Sequence, residues 1–115
     1  MAEHLASPQR FADFVAYSAA GETVGLAEAA LRSDYVNGTA STPVAFLEGI
    51  YVLPAARRHG IAAALIGEVE RWARDCGCRE LASDALLENQ ASHAVHRALG
   101  FEESERVVFF RKRLA

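Results

Sequence analysis

The apolar residues in the first half of the chain predict three strands. Phe11–Ala19 carries aromatic and branched residues and runs into a turn at Gly21, so we expect a strand that ends in a hairpin. Thr23–Tyr35 is the expected returning strand, although its Ala, Glu and Leu content also permits a helix. Val44–Leu53 is the most apolar segment and is the expected central strand. It ends at Pro54, because proline has no N–H to donate to a sheet.

The second half of the chain alternates helices with short extended segments. A helix is expected over Gly60–Cys76, where apolar residues recur at spacings of 4, 4, 3 and 4, at Ile61, Leu65, Val69, Trp72 and Cys76. The pattern further predicts a strand at Arg79–Asp84, a helix at Asn89–Leu99 capped by Asn89, and a last strand after Phe101 centred on Val107–Phe110. The order β-β-β-α-β-α-β predicts an α+β fold with a mixed sheet.

Composition and charge narrow the class of protein. A chain of 115 residues, 51% hydrophobic, has the size of one domain, so we expect residues 1–115 to form a single domain. Its net charge of −3 argues against nucleic-acid binding and suits a cationic ligand. It has no apolar run of the roughly 18 residues that a membrane span needs, and Met1–Arg10 has no signal-peptide core. Only two cysteines, Cys76 and Cys78, are present, so we expect a reducing cytoplasm.

The loop between the central strand and the first helix is a candidate anion site. It reads Arg57-Arg58-His59-Gly60-Ile61-Ala62. A glycine turn that opens a helix leaves backbone N–H groups without intrahelical partners at the positive end of the helix dipole. Arg57 and Arg58 add positive charge, which matches a pyrophosphate. The alternative is an ordinary strand-to-helix turn with two solvated arginines, since glycine turns alone are weak signals.

The order Arg-x-x-Gly-x-Ala after a strand, followed by Asn89 and by Ala98-Leu99-Gly100-Phe101, resembles the Gcn5-related N-acetyltransferase (GNAT) family. The resemblance implies that fold and acetyl-CoA as cofactor. It implies that Ile50, Tyr51 and Val52 hold the pantetheine arm and that Asn89 contacts the cofactor near its reactive end. The implied pyrophosphate residues are Arg57, Arg58, Gly60, Ile61, Ala62 and Ala63.

Six further segments resemble the aminoglycoside 6′-N-acetyltransferases in particular: Asp34–Gly38, Phe46–Ile50, Ala82–Asp84, Phe101–Glu103, Glu105–Val107 and Arg111–Arg113. The resemblance implies acetyl transfer from acetyl-CoA to the 6′-amine of an aminoglycoside, and hence antibiotic resistance. Such enzymes begin with a strand and one or two helices before the segment that matches Phe11. Because only ten residues precede Phe11 here, we expect either a truncated form or a partner chain that supplies the missing wall.

Three carboxylates and one tyrosine are candidates for holding the acceptor. A polycationic drug needs carboxylates that are not neutralised. Glu48 lies in an apolar strand, where a carboxylate is costly unless it is paired or functional; the alternative is a pair with an arginine at the sheet edge. Asp84 ends a strand, and the alternative is a helix cap. The resemblance places both at the substrate amine, as catalytic residues, with Asp84 as the possible base. It also makes Tyr35 a drug contact, for which the alternative is an ordinary aromatic residue of a strand. It makes Glu105 a residue that reaches the drug across a dimer interface, for which the alternative is a solvated charge.

His96 stands where many GNAT relatives carry a tyrosine that protonates the leaving thiolate, so the resemblance makes it a candidate general acid; a helix-face histidine is the alternative. His93 and His96 lack further ligands at a usual spacing, so we expect no metal site. We expect direct attack by the amine, because we identify no Cys or Ser that sits with a base as a covalent nucleophile. An acetyltransferase for a polyamine or a peptide N-terminus, and a coenzyme A-binding chain without turnover, remain open. The apolar segment Val107–Phe110 predicts a homodimer.

Overall fold

A four-stranded sheet forms the centre of the computed structural model, which describes residues 10–115. The strands are β1 (Phe11–Tyr17), β2 (Thr23–Arg32), β3 (Val44–Val52) and β4 (Leu81–Ala82), in that order across the sheet. β1, β2 and β3 pair antiparallel, and β4 pairs parallel to β3. The helices are α1 (Ile61–Asp75) and α2 (Gln90–Ala98), and a short 3-10 helix covers Pro54–Ala56. The predicted α+β class with a mixed sheet is confirmed. The prediction that Met1–Arg10 is not a signal peptide concerns residues that, apart from Arg10, lie outside the described part of the chain.

One face of the sheet is covered by α1, and the main core lies between them. Leu65, Ile66 and Val69 of α1 are buried against small and branched residues of β2 and β3. Each such side chain contributes about 1.5–3 kcal/mol on burial. Gly25 on β2 allows the helix to approach, because a Cβ there would lie 3.1 Å from Cγ2 of Ile61. Trp72, expected in the core, packs edge-on against the ring of Phe14 at 6.3 Å.

The central strand contains a β-bulge at Glu48. Glu28 of β2 pairs with Gly49, whereas the next residue, Ala29, pairs with Leu47, so Glu48 has no direct partner. The extra residue changes the alternation of the strand. Leu47 and Val52 both face α1, although they are an odd number of residues apart. The bulge thereby leaves Glu48 exposed in an otherwise apolar strand.

Three of the predicted elements differ from the structure more than the others do, whose bounds move by two residues at most. β2 ends at Arg32 rather than Tyr35, and β4 covers Leu81–Ala82 rather than Arg79–Asp84, because it pairs with β3 at only two positions. The predicted last strand is wrong for this chain: no strand follows α2 within the described residues, and Val107–Phe110 is exposed. A strand exists only where another strand pairs with its backbone, and apolar side chains alone do not supply that partner.

Candidate active site

The loop after β3 is shaped by two residues with left-handed backbone conformations. Arg58 has φ 68° and Gly60 has φ 76°. Arg57 is held against the end of the strand, because its Nε donates a hydrogen bond of 2.9 Å to the carbonyl of Val52. Its guanidinium carbon also lies 5.6 Å from the centre of the Tyr51 ring. Arg57 is therefore tethered, whereas Arg58 follows the turn and is exposed.

The first turn of α1 presents unpaired donors. Gly60 caps the helix without a side-chain hydrogen bond, and the first turn contains no acidic residue. The first intrahelical bond runs from Ala64 N to Gly60 O at 3.0 Å, which leaves the N–H groups of Ile61, Ala62 and Ala63 without intrahelical acceptors. These donors and the helix dipole fit a pyrophosphate. A Cβ at Gly60 would meet nothing within 4 Å, so no neighbouring atom excludes a side chain there. Glycine is favoured at this position because the backbone has a positive φ.

The edge of β3 toward β4 is open beyond the first few residues. β4 pairs with β3 only at Ala45 and Phe46, and no described strand pairs with that edge further along. The backbone of Ile50, Tyr51 and Val52 lies on this part of β3. Alternate residues of an antiparallel strand direct their N–H and C=O groups to opposite edges, and Leu53 N already donates to Val24 O on β2. The polar backbone groups of Ile50 and Val52 are therefore available to an extended amide-bearing chain such as pantetheine, apart from the lone pair of the Val52 carbonyl that Arg57 already uses. Those of Tyr51 face β2.

A groove of about 1160 Å³ lies beside β4 and α2. It brings together Tyr35, Asp84, His96 and Glu105, which are distant in sequence. Its lining has more carboxylates than guanidinium groups: Glu70, Glu80, Asp84, Glu102, Glu103 and Glu105 against Arg32, Arg97 and Arg106. Such a groove favours a cationic ligand. Neither Glu48, Asn89 nor the loop at Gly60 lines it.

Glu48 adjoins the groove through an ion pair. Its carboxylate accepts a 2.9 Å hydrogen bond from Arg32, which lines the groove and stacks 3.8 Å over the ring of Phe46. The side chains of Arg32 and Glu48 are 43% and 38% exposed, so Glu48 is a paired carboxylate at the surface rather than a buried one. The bulge turns Glu48 to the surface, and the arginine pair that the sequence left open is present.

His96 holds Ser83 by a short hydrogen bond. Nε2 of His96 lies 2.7 Å from Oγ of Ser83, and Nδ1 lies 2.8 Å from the carbonyl of Ser92. The ring also packs edge-on against Phe101 at 5.1 Å. A serine therefore does sit with a base in the folded chain, and the expected direct attack by the amine stays a prediction. The sequence separates the two residues by 13 positions, and only the packing of α2 against the end of β4 brings them together.

Asn89 has a structural contact in this fold. Its side chain accepts a 3.0 Å hydrogen bond from Ser92 N and caps α2, as predicted. Its expected role at the cofactor stays a prediction.

Glu80 anchors the loop that carries Tyr35. Its carboxylate accepts hydrogen bonds from the hydroxyl of Ser41 and, at 2.9 Å, from Ala40 N. These hydrogen bonds lower the pKa of Glu80, and the Ser41 hydroxyl has a larger effect than the Ala40 amide. The sequence analysis did not identify Arg32, Glu80 or Ser83 as site residues. The one sequence signal for them is their position as polar residues at strand ends: Arg32 ends β2, and Glu80 and Ser83 flank β4.

The sequence pattern of the acetyltransferase (GNAT) family matches residues 2–101. This match shows that the chain belongs to the GNAT acetyltransferase family. The predicted family and fold are confirmed.

The relatives within that family are more specific. The chain is 57% identical over 100 residues to an aminoglycoside N(6′)-acetyltransferase type 1 from Acinetobacter genomosp. 13, covering 87% of this chain and 68% of the relative. It is 55% identical over 112 residues to one from Salmonella typhimurium, covering 97% and 72%. Its fold is similar to a solved AAC(6′)-Iy in complex with the bisubstrate analogue CoA-S-monomethyl-acetylneamine, with TM-score 0.86 and 53% identity over 97% of this chain and 75% of that one. The chain thus spans about two thirds to three quarters of the length of these proteins.

Within residues 10–115, no three His, Cys, Asp or Glu side chains are grouped so as to hold a metal ion. In the same part of the chain, no helix combines the length and apolar character of a membrane span.

Proposed function

We propose that this chain transfers the acetyl group of acetyl-CoA to the 6′-amino group of aminoglycosides and so confers resistance. The observation that carries the proposal is the 53% identity to AAC(6′)-Iy, whose complex contains coenzyme A joined to an acetylated neamine. The carboxylate-rich groove supports it independently, because aminoglycosides are polycations.

The donor side of the proposed site is built from backbone and arginines. The N–H groups of Ile61, Ala62 and Ala63 bind the pyrophosphate, and the turn at Gly60 with Arg57 and Arg58 completes the anion site. The remaining proposed contacts to the cofactor are the strand residues Ile50, Tyr51 and Val52 and the cap residue Asn89. Acetyl-CoA supplies an activated acetyl thioester. The unpaired helix N-terminus and the open edge of β3 support this assignment.

The acceptor side of the proposed site is the groove. Asp84 binds the attacked amine as its base, and Tyr35 and Glu105 contact the drug. Glu48 joins them when a drug ammonium displaces Arg32 from its carboxylate. The amine is protonated at neutral pH, so it must lose a proton before direct attack. His96 is the proposed general acid, and its contact with Ser83 places it at the groove wall.

A thiol-release assay tests the proposed activity. The purified chain is mixed with acetyl-CoA and either kanamycin, spermidine or a peptide with a free N-terminus, and product is identified by mass. Acetylated kanamycin, with release of coenzyme A above that of a mixture without amine, supports the proposal. Acetylated spermidine or peptide instead favours another amine, and binding of acetyl-CoA without any acetylated amine contradicts the proposed transfer.

We also propose that two copies form a homodimer through the C-terminal segment. Val108, Phe109 and Phe110 are 74%, 85% and 91% exposed, and their backbone has no strand partner among residues 10–115. Exposed apolar side chains on unpaired backbone favour association with another chain. Light scattering tests this: the wild type should have twice the mass of the chain and Phe109→Asp the mass of one. A wild-type monomer at micromolar concentration contradicts it.

The single domain over residues 1–115 and the cytoplasmic location remain parts of this proposal. Cys76 and Cys78 are free thiols, which supports a reducing compartment. Burial raises the pKa of both thiols, so neither resembles a reactive thiolate.

A further inference from the structure

We propose a second activity for this chain: Ser83 is a nucleophile that His96 activates, so that the chain hydrolyses activated acyl esters and thioesters in the absence of any amine. The observation that carries the proposal is the contact between Ser83 and His96 described above. The activity is independent of aminoglycosides.

The hydrogen bonds of His96 define which nitrogen carries the proton. The carbonyl of Ser92 can only accept, so Nδ1 of His96 donates to it across 2.8 Å. In the neutral ring Nε2 is then an acceptor, and the hydroxyl of Ser83 donates to it across 2.7 Å. A nucleophile bonded to a base that a third group orients is the arrangement found in serine hydrolases. Here a backbone carbonyl takes the place of the usual carboxylate.

The pair is accessible and held in place. Ser83 and His96 both line the groove, so an acyl group can reach the hydroxyl. The imidazole is packed on Phe101, whose own N–H donates a 2.9 Å hydrogen bond to the carbonyl of His96. Asp84 lines the same groove and adds to its negative charge. The side chain of His96 is therefore positioned before a substrate binds.

The proposed reaction balances with water as the second reactant. Oγ of Ser83 attacks the acyl carbon while its proton moves to Nε2 of His96. The bond from the acyl carbon to the leaving oxygen or sulfur breaks, and the leaving atom takes the electron pair and that proton. Water then attacks the acyl-serine ester and gives its proton to Nε2, and Oγ leaves and recovers the proton. The products are an alcohol or thiol and a carboxylic acid.

Hydrolysis of p-nitrophenyl acetate, without acetyl-CoA or amine, tests the proposal. The wild type should release p-nitrophenolate with a burst of one equivalent, and mass spectrometry should find acetyl on Ser83 rather than on Lys112, the single lysine. Ser83→Ala and His96→Gln should lower the rate about 100-fold or more, since general-base activation contributes that much. Ser104→Ala is the matched control, because Ser104 lines the same groove and has no histidine partner among the described residues.

Three results would overturn the proposal. One is equal rates in wild type and Ser83→Ala, and another is acetyl found only at other residues. The third is a lower hydrolysis rate in His96→Gln together with an unchanged rate in Ser83→Ala, because the imidazole would then be the nucleophile. If Ser83→Ala does not fold by circular dichroism, Ser83→Cys replaces it and should carry acetyl as a thioester. Because the probe needs neither acetyl-CoA nor a drug, its outcome is separate from that of the proposed acetyltransferase.

Discussion

Replacing Gly60 by Asp tests whether the first turn of α1 holds the pyrophosphate. The variant places a carboxylate at the end of the helix where Ile61, Ala62 and Ala63 present their N–H groups. It should weaken coenzyme A binding, because the carboxylate competes for those donors and repels the ligand. The fold should survive, since a Cβ at this position meets nothing within 4 Å.

A neutral variant of the same shape separates the effect of the charge from the effect of backbone strain and bulk. A residue other than glycine at φ 76° costs about 1–2 kcal/mol of stability, and less for Asp or Asn. Gly60→Asn shares that cost and the bulk but has no charge. A charge-assisted hydrogen bond is worth about 1.5–3 kcal/mol, so Gly60→Asp should bind coenzyme A about 10- to 150-fold more weakly than Gly60→Asn.

The assay is calorimetric titration with coenzyme A, together with thermal unfolding. Gly77→Asp is the control for strain, because Gly77 has φ 85°, has open space around it and follows the opposite end of α1. It should lower Tm to a similar extent and leave binding unchanged. Unchanged affinity in folded Gly60→Asp would refute the assignment of the loop. Equal losses in the Asp and Asn variants would refute the electrostatic reasoning.

Three other predictions concern the groove and its neighbours. Asp84→Asn should lower kcat with an aminoglycoside by about 100-fold and keep the acetyl-CoA affinity, whereas Glu48→Gln should mainly raise the drug KM; wild-type kcat in the first variant would contradict the role as base. Arg32→Gln removes the competitor of the drug for Glu48, and because an exposed pair is worth about 0.2–1 kcal/mol, the drug KM should fall about 1.4- to 5-fold in steady-state kinetics. An unchanged KM would show that the ion pair does not compete. Glu80 has a lowered pKa, so it stabilises the fold above its ordinary pKa of 4.5, and this contribution is lost as the pH falls through its lower value in the folded state. Glu80→Gln should therefore have a lower Tm than wild type at about pH 7, and the difference should shrink at about pH 3; a constant difference would contradict this.

The sequence by itself determined the elements that depend on local patterns. The helical period from Ile61 to Cys76 predicted α1 to within one residue at each end, because glycines with positive φ stand just outside it at Gly60 and Gly77. The strand β3 was predicted to within one residue, since Pro54 ends it. The turn that opens α1 was likewise visible, because a helix start without a cap leaves the same donors free in any fold.

The tertiary structure alone decided which side chains meet. Glu48 is exposed and paired with Arg32 because a bulge, set by the pairing of β2 with β3, interrupts the alternation of the strand. Ser83 and His96 form a hydrogen-bonded pair only because α2 packs beside the end of β4. The apolar segment Val107–Phe110 was predicted as a strand but has no partner in the described chain. Local sequence sets backbone preference, whereas pairing, register and contact depend on residues that are far apart in the chain.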